Sequence, residues 1–411
     1  MRLSRIKKRI DLPWLITLAL FISIYIGRLS AYGSYIIAFL TMIFFIVSLL
    51  FSKKKPNFKI GFYHWHLLLF ALFSLLSSAW SIDSNGSIGK SITLFEILIC
   101  FSVFSMYYLN ESNGVNKLLK VIMWGGFIVS IYSFFEYGIK GIFNTLLSAG
   151  RIESTFNNVN EIAGLCSLTL VLVLFFWIEE GFSIKYLLSA PTFVLLLACS
   201  SKRAIICLFV CMILLFVLTG FRGEKRIVKK RTVAISITLL AMMLFVLGSS
   251  ITFGLSERMS YFIAGLTGTK GADHSTLLRK ELIEFGFDIF RTNPLIGVGI
   301  GAPHVLVLQR YSSDFYLHNN YVELLAGGGI IGFILYYSIY IFIAFPLIKI
   351  DRLKCKYSRI VLVILVFLLI TDIASGAYYS KETYFFLMVC FVHTFALKKS
   401  IQHNDLKKET I

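Results

Sequence analysis

Apolar runs interrupt this chain so often that little room is left for anything else. They fall at about 12–28, 32–51, 60–80, 91–109, 118–137, 161–178, 184–199, 204–220, 233–253, 321–348, 360–376 and 383–397. A helix needs about 20 apolar residues to cross the hydrocarbon of a bilayer. Backbone at that depth must also satisfy its own polar groups, which a helix does. The pattern predicts an all-α, polytopic integral membrane protein with about 12 transmembrane helices, residues 1–411 forming a single transmembrane domain. A hydrophobic content of 57% and a mean hydropathy of +0.79 exclude a soluble domain. The basic start, Arg2 to Arg9, meets the first run without a small-residue cleavage site and reads as leading into an uncleaved first helix.

The formal charge of +18 would fit a nucleic-acid partner in a soluble chain. In a membrane protein the division of charge between loops is what carries information. Alternating the loops puts 27 of the 40 Lys and Arg on one side and 13 on the other, six of those in one long loop. This positive-inside asymmetry predicts cytoplasmic termini, an extracytoplasmic loop over 254–320 between runs nine and ten, and no role for nucleic acid. The seven cysteines lie in predicted spans or cytoplasmic loops with no C-x-x-C spacing, so neither a disulfide framework nor a thiolate metal site is expected.

Cations on the outward side need a reason. Arg151 precedes run six, Arg203 sits at the turn between runs seven and eight, and Arg258 follows run nine. Each either snorkels at the interface or meets an anion. Within the long loop, Ser275–Arg291 has helical periodicity, with Ser275 or Thr276 placed to cap it. Leu278, Leu282, Ile283, Phe285, Ile289 and Phe290 form its apolar face. Arg279 points into that arc, where an unpaired charge is costly, so it calls for a structural carboxylate or a bound phosphate, and Gly286 leaves room beside it.

The turn Asn293-Pro294-Leu295-Ile296-Gly297-Val298-Gly299 matches no dinucleotide or Walker spacing; it reads as an irregular turn, with phosphate cradling a weaker option. His274, His304 and His318 are outward but not at metal-ligand spacing. His318, just before run ten, is either structural or a proton acceptor near the membrane surface. Gly327–Gly329 and Gly332 mark tight helix packing or a break lining a cavity. Glu96 and Asp372, as carboxylates within predicted spans, are functional candidates.

These residues carry a resemblance. Asn293-Pro294-Leu295-Ile296-Gly297-Val298-Gly299, His318-Asn319-Asn320-Tyr321-Val322-Glu323-Leu324-Leu325 and Gly328-Gly329-Ile330-Ile331-Gly332 look like the signature of the O-antigen ligase/polymerase superfamily. Ser201-Lys202-Arg203-Ala204 is similar to its S/T-x-R-A/G turn, with Lys202 in place of a small residue. Ser154-Thr155-Phe156-Asn157-Asn158-Val159-Asn160 resembles its T-x-x-N-P-N segment, with Val159 in place of proline.

The resemblance covers roughly 150–335. It implies a GT-C-like helical fold in the bacterial inner membrane, acting on undecaprenyl-pyrophosphate-linked oligosaccharide donor and acceptor without metal or cofactor, with a chain-length regulator as a possible partner. Carried over by position, it makes Arg203 and Arg258 the pyrophosphate ligands, Arg279 a further substrate arginine and His318 the general base. Arg151, Asn160 and Glu323 join the substrate-binding set. The segment around His318 is closer to polymerases of surface polysaccharide (O-antigen or capsule) than to ligases that load glycan onto lipid A-core. A flippase or transporter is the reading from another class. It predicts internal repeats and charges near the membrane midplane, whereas no repeat is visible and the charges gather at one surface.

Overall fold

The computed structural model describes residues 11–27, 32–51, 60–111, 113–148, 150–152, 156–220, 274–313 and 315–409. Fourteen helices and no strand are found among them. They are α1 (Leu12–Ile26), α2 (Gly33–Phe51), α3 (Phe62–Ser77), α4 (Ser84–Asn110), α5 (Gly114–Leu147), α6 (Val159–Glu180), α7 (Ser189–Ala198, after a 3-10 turn at Ile184–Leu188) and α8 (Lys202–Thr219). Then follow α9 (His274–Thr292), α10 (Pro303–Tyr311), α11 (Asn320–Ala344), α12 (Ile350–Leu353), α13 (Lys356–Asp372) and α14 (Lys381–Glu409). Six of them, α2, α4, α5, α6, α8 and α11, are long and apolar enough to cross a membrane, and α1, α3 and Ile184–Ala198 are shorter apolar helices. Helices occupy every predicted run except 233–253, which lies outside the described residues together with Arg258.

Helix starts follow from local chemistry. The Asp11 carboxylate accepts from Trp14 N at 3.2 Å ahead of Pro13, and the Asp83 carboxylate accepts from Gly86 N at 3.0 Å. Such caps satisfy amides that the helix itself leaves open. One large apolar core joins α1–α8, α11, α13 and α14. A smaller second core, including Leu282, Ile289, Val298, Val307, Leu317 and Val322, holds α9 and α10 against the start of α11. Helix α9 matches the predicted amphipathic segment, although it begins at His274, so Ser275 and Thr276 fall in its first turn instead of capping it. Helix α10, opened by Pro303 at its first turn, was not expected.

Helix ends sort onto two faces. On one, Lys381 Nζ lies 3.1 Å from Ser34 Oγ, Asn157 Nδ2 donates to Tyr25 O, Ile82 N donates to Val298 O and Arg203 reaches the end of α13. On the other, Lys117 pairs with Asp11 and Glu111, and Arg359 with Glu179 at 2.7 Å in full burial.

The central irregularity is in α11, which breaks at Gly329 (φ 60°, ψ −164°). A continuous helix would close bonds from Ile330 N to Ala326 O and from Ile331 N to Gly327 O. The turn at Asn293–Gly299 supplies substitutes instead. Ile330 N donates to Pro294 O (2.9 Å), Ile331 N to Leu295 O (3.2 Å), Val298 N to Ala326 O (3.0 Å) and Gly299 N to Gly327 O (2.9 Å). The two backbones lie so close that a Cβ on Gly297 would meet Gly327 C at 2.4 Å, and one on Gly329 would meet Leu295 C at 2.3 Å.

This corrects the phosphate-cradle option for the turn. Gly297 N donates to Asn293 O and Ile300 N to Ser77 Oγ, so the amides of 297–300 are all spent inside the protein and none is left to hold an anion. The glycines serve backbone approach.

Replacing Gly329 by Ala therefore sets a positive φ against a backbone clash and should cost more than about 2 kcal/mol. Gly141→Ala, in α5 with open space at its Cβ, should be neutral or stabilise by up to about 1 kcal/mol. Thermal unfolding of the detergent-solubilised protein checks the contrast; equal melting temperatures for the two variants would contradict it.

Candidate active site

His318 stands at the mouth of α11 in a turn whose every neighbour is tied down. It has φ 54°, a left-handed conformation that is uncommon outside glycine. Three side chains of the following turn hold it there. The Glu323 carboxylate, buried, accepts from Leu317 N at 2.9 Å. Asn319 caps α11 by accepting from Val322 N at 3.1 Å. Asn320 Oδ1 accepts from Ala377 N (2.7 Å) and Tyr378 N (2.9 Å), so the α13–α14 turn is bound to the base of the same helix. Asn320 Nδ2 in turn donates to the Asp372 carboxylate at 3.3 Å, which Tyr337 also reaches at 3.0 Å. Asp372, flagged from its position in a span, thus supports Asn320. Glu96 lies on the same face, 3.6 Å from Lys381 Nζ.

The imidazole packs against Tyr316, with ring centroids 4.0 Å apart. Burial, and then the positive charge of Arg279, hold its pKa down to about 4. The ring is therefore neutral near pH 7 and can accept a proton. Burial and Glu161 push the Tyr316 phenol above its ordinary value, while Arg203 and Arg279 pull it back. The charges of Arg203 and Arg279 thus both act on the phenol whose ring packs against His318, although more than a hundred residues separate Arg203 from His318.

Arg203, at the first turn of α8, donates through Nη1 to Thr371 O (3.3 Å) and Ala374 O (3.2 Å) and through Nη2 to Glu161 Oε1 (3.3 Å). That fixes its planar fork. Arg279 is half-buried and has no carboxylate within ion-pair distance among the described residues, so the structural-carboxylate alternative finds no partner there. Gly286 leaves no room for an anion, which corrects the expectation: its missing side chain is filled by Val322 and Leu317, whose methyls would stand 2.4 and 2.7 Å from a Cβ.

Arg151 and Asn160 form a neighbouring cluster. Arg151 Nη2 donates to Asn160 Oδ1 at 2.7 Å, and Ser201 Oγ donates to the same oxygen at 3.0 Å, so the segment before α6 is tied to the turn before α8. Arg258, expected beside Arg203, lies outside the described residues. Sequence reasoning missed Glu161, Tyr316 and Asn320. For Glu161 the available signal was a carboxylate in the first turn of a helix at the same end of the bundle as Arg203. Tyr316 and Asn320 flank His318, and only their contacts with distant segments distinguish them.

The role of Glu323 as a buried acceptor yields a direct check. Glu323→Gln keeps an oxygen for Leu317 N and should leave the melting temperature almost unchanged. Glu323→Ala leaves that buried amide open and should cost about 1–3 kcal/mol. Similar melting curves for both variants would remove the anchoring role.

Residues 187–337, which include Arg203, Arg279, His318 and Glu323, match the family model described as O-antigen ligase. No curated protein matches the chain. The matched segment supports kinship with the O-antigen ligase/polymerase superfamily, whose enzymes are glycosyltransferase-like and act on lipid-linked polysaccharide substrates.

Proposed function

We propose that this chain is a surface-polysaccharide polymerase of the outer face of the bacterial inner membrane. It transfers glycan from undecaprenyl pyrophosphate to a sugar hydroxyl of a second lipid-linked repeat. About twelve spans and cytoplasmic termini complete the reading, supported by the charge asymmetry of the loops. The observation that carries the function is a neutral His318 packed against Tyr316, with the charges of Arg203 and Arg279 acting on that phenol and Arg279 on the imidazole.

Chemically, the acceptor hydroxyl loses its proton to a ring nitrogen of His318 as its oxygen attacks the anomeric carbon. The bond from that carbon to the pyrophosphate oxygen breaks, and undecaprenyl pyrophosphate departs with the electron pair. Arginine forks match phosphate oxygens and stabilise the charge that develops on them. Arg203 is presented by Glu161 and two carbonyls, Arg279 has no carboxylate partner among the described residues and is proposed to meet the anion, and Arg258 is proposed to join them. A single displacement inverts the anomeric centre. Arg151 and Asn160 shape the rim, and Glu323 acts through the backbone at Leu317. A pyrophosphate bound beside Arg279 would offset its charge and raise the basicity of His318 as substrate arrives.

A ligase acting on lipid A-core is the second reading, favoured by the printed description of the matching family. Deleting the chain separates the two: single-repeat products accumulate if it is a polymerase, and long lipid-linked chains if it is a ligase.

His318→Ala should reduce chain extension by about 10²–10⁴-fold, the range for a lost general base, while the protein still inserts. Normal-length glycan from that variant would remove His318 from the chemistry. Because Arg279 depresses the histidine, Arg279→Gln should move the acid limb of the kcat/KM profile up from about 4 toward 6.5. An acid limb that stays in place would show that Arg279 does not act on His318.

A further inference from the structure

Helix α5 is longer than a bilayer span needs. Its 34 residues would run about 51 Å as one continuous helix, against about 30 Å of hydrocarbon. The excess is divided off at Gly138 (φ 67°, ψ 150°), a conformation natural to glycine that takes the backbone out of the helix. Residues 114–137 are enough for a span of about 36 Å, and 139–147 form a separate short helix. Glu136, Tyr137 and Lys140 bracket the break, and both charged side chains are exposed. Charge and tyrosine mark the edge of a bilayer and not its centre. The short helix ends at the face that carries Arg203, since Ser200 Oγ donates to Gly150 O at 3.2 Å and Ile152 N to Ala198 O at 3.4 Å.

This short helix has two sides. At about 100° per residue, Ile142, Leu146, Ile139, Phe143 and Leu147 fill one continuous arc of about 140°, and Lys140, Asn144, Gly141 and Thr145 fill the opposite one. The protein covers only half of the apolar arc. Ile142 is fully buried in the main core and Leu146 packs against it, whereas Ile139, Phe143 and Leu147 are 64%, 49% and 69% exposed. Lys140 and Asn144 are exposed beside them. The row at 139, 143 and 147 takes up in sequence where the exposed row Ile128, Ile131 and Phe135 of the span leaves off. Water around the helix would leave three large apolar side chains unburied, at about 1.5–3 kcal/mol each. Hydrocarbon all round would strand the ammonium and the amide. Only the boundary between the two suits both sides of the helix.

We propose that residues 139–147 are an interfacial anchor whose partner is the lipid of the leaflet on the His318 face. The helix lies along the bilayer surface with Ile139, Phe143 and Leu147 in the acyl boundary and Lys140 and Asn144 among headgroups and water. Its chain leads directly to Arg151, whose guanidinium holds Asn160 and, through Asn160, the Ser201 turn before α8. That rim is thereby moored to the membrane surface. The anchor does not depend on the transferase reading.

Nitroxide labels on Phe143→Cys, Leu147→Cys and Asn144→Cys, one at a time in the full chain in lipid nanodiscs, test this. All three positions are exposed, so no label enters the core. Six of the seven native cysteines are buried, and Cys355→Ser removes the partly exposed one. Relaxation by oxygen, which concentrates in lipid, and by a water-soluble nickel chelate reports the depth of each label. The Phe143→Cys and Leu147→Cys labels should lie about 5–10 Å into the boundary and relax more with oxygen. The Asn144→Cys label should relax more with nickel. Nickel dominating at all three would put the helix in water, and oxygen dominating at all three would put it in hydrocarbon; either result overturns the anchor. A Phe143→Cys label shielded from both reagents would overturn it too, with dipolar broadening that fades on dilution by unlabelled protein identifying a second copy as the cover.

Discussion

An amide without a partner in hydrocarbon costs several kcal/mol, and α11 opens its own ladder at Gly329. The rest of the face that carries His318 depends on how that opening is closed. The turn from Asn293 to Gly299 enters the gap and restores the missing pairs with its own amides and carbonyls. It is itself gripped by the α3–α4 corner, where Trp80 Nε1 donates to Ile296 O, Ser87 Oγ to Ile300 O, and Ile300 N to Ser77 Oγ. Helices α9 and α10 are thereby fastened to the bundle through backbone, with their small apolar core as the second attachment.

Fastening of that kind suits a histidine that must keep its place. A non-glycine residue in the left-handed region carries about 1–3 kcal/mol of strain and persists only where its surroundings over-determine it. At His318 the surroundings are Glu323 on the preceding amide, Asn319 capping the helix and Asn320 holding the next turn. Each of these contacts comes from the five residues after His318, so the short run His318–Glu323 encodes both the proposed base and its mount. The arginines come from α8 and α9, and each is placed by a different route. Arg203 is oriented by Glu161 and the carbonyls ending α13. Arg279 rides on the face of an amphipathic helix whose apolar residues are buried around it.

Much of the helix layout was legible in the sequence because hydrophobic runs act through the bilayer and not through tertiary detail. Helix α9 and the inward direction of Arg279 followed from a period of 3.6. What the sequence could not reveal were partnerships between distant segments. A glycine-rich turn looks the same whether its amides face a phosphate or the carbonyls of a broken helix 30 residues away. Gly286 reads as space until Leu317 and Val322 are seen to fill it. Glu161 and Arg203, 42 residues apart, give no local sign of meeting. Proline at the start of α10 was a usable signal that a short helix without a strong period obscured.

The most direct measurement is an experimental structure of the wild-type protein in a lipid nanodisc with undecaprenyl pyrophosphate. Pyrophosphate density touching Arg203 and Arg279, with His318 within a few ångströms of the place an anomeric carbon would occupy, is the predicted result. Density bound on the face of Lys117 and Arg359, or a pocket in which Arg203 and Arg279 bind carboxylates only, would contradict it.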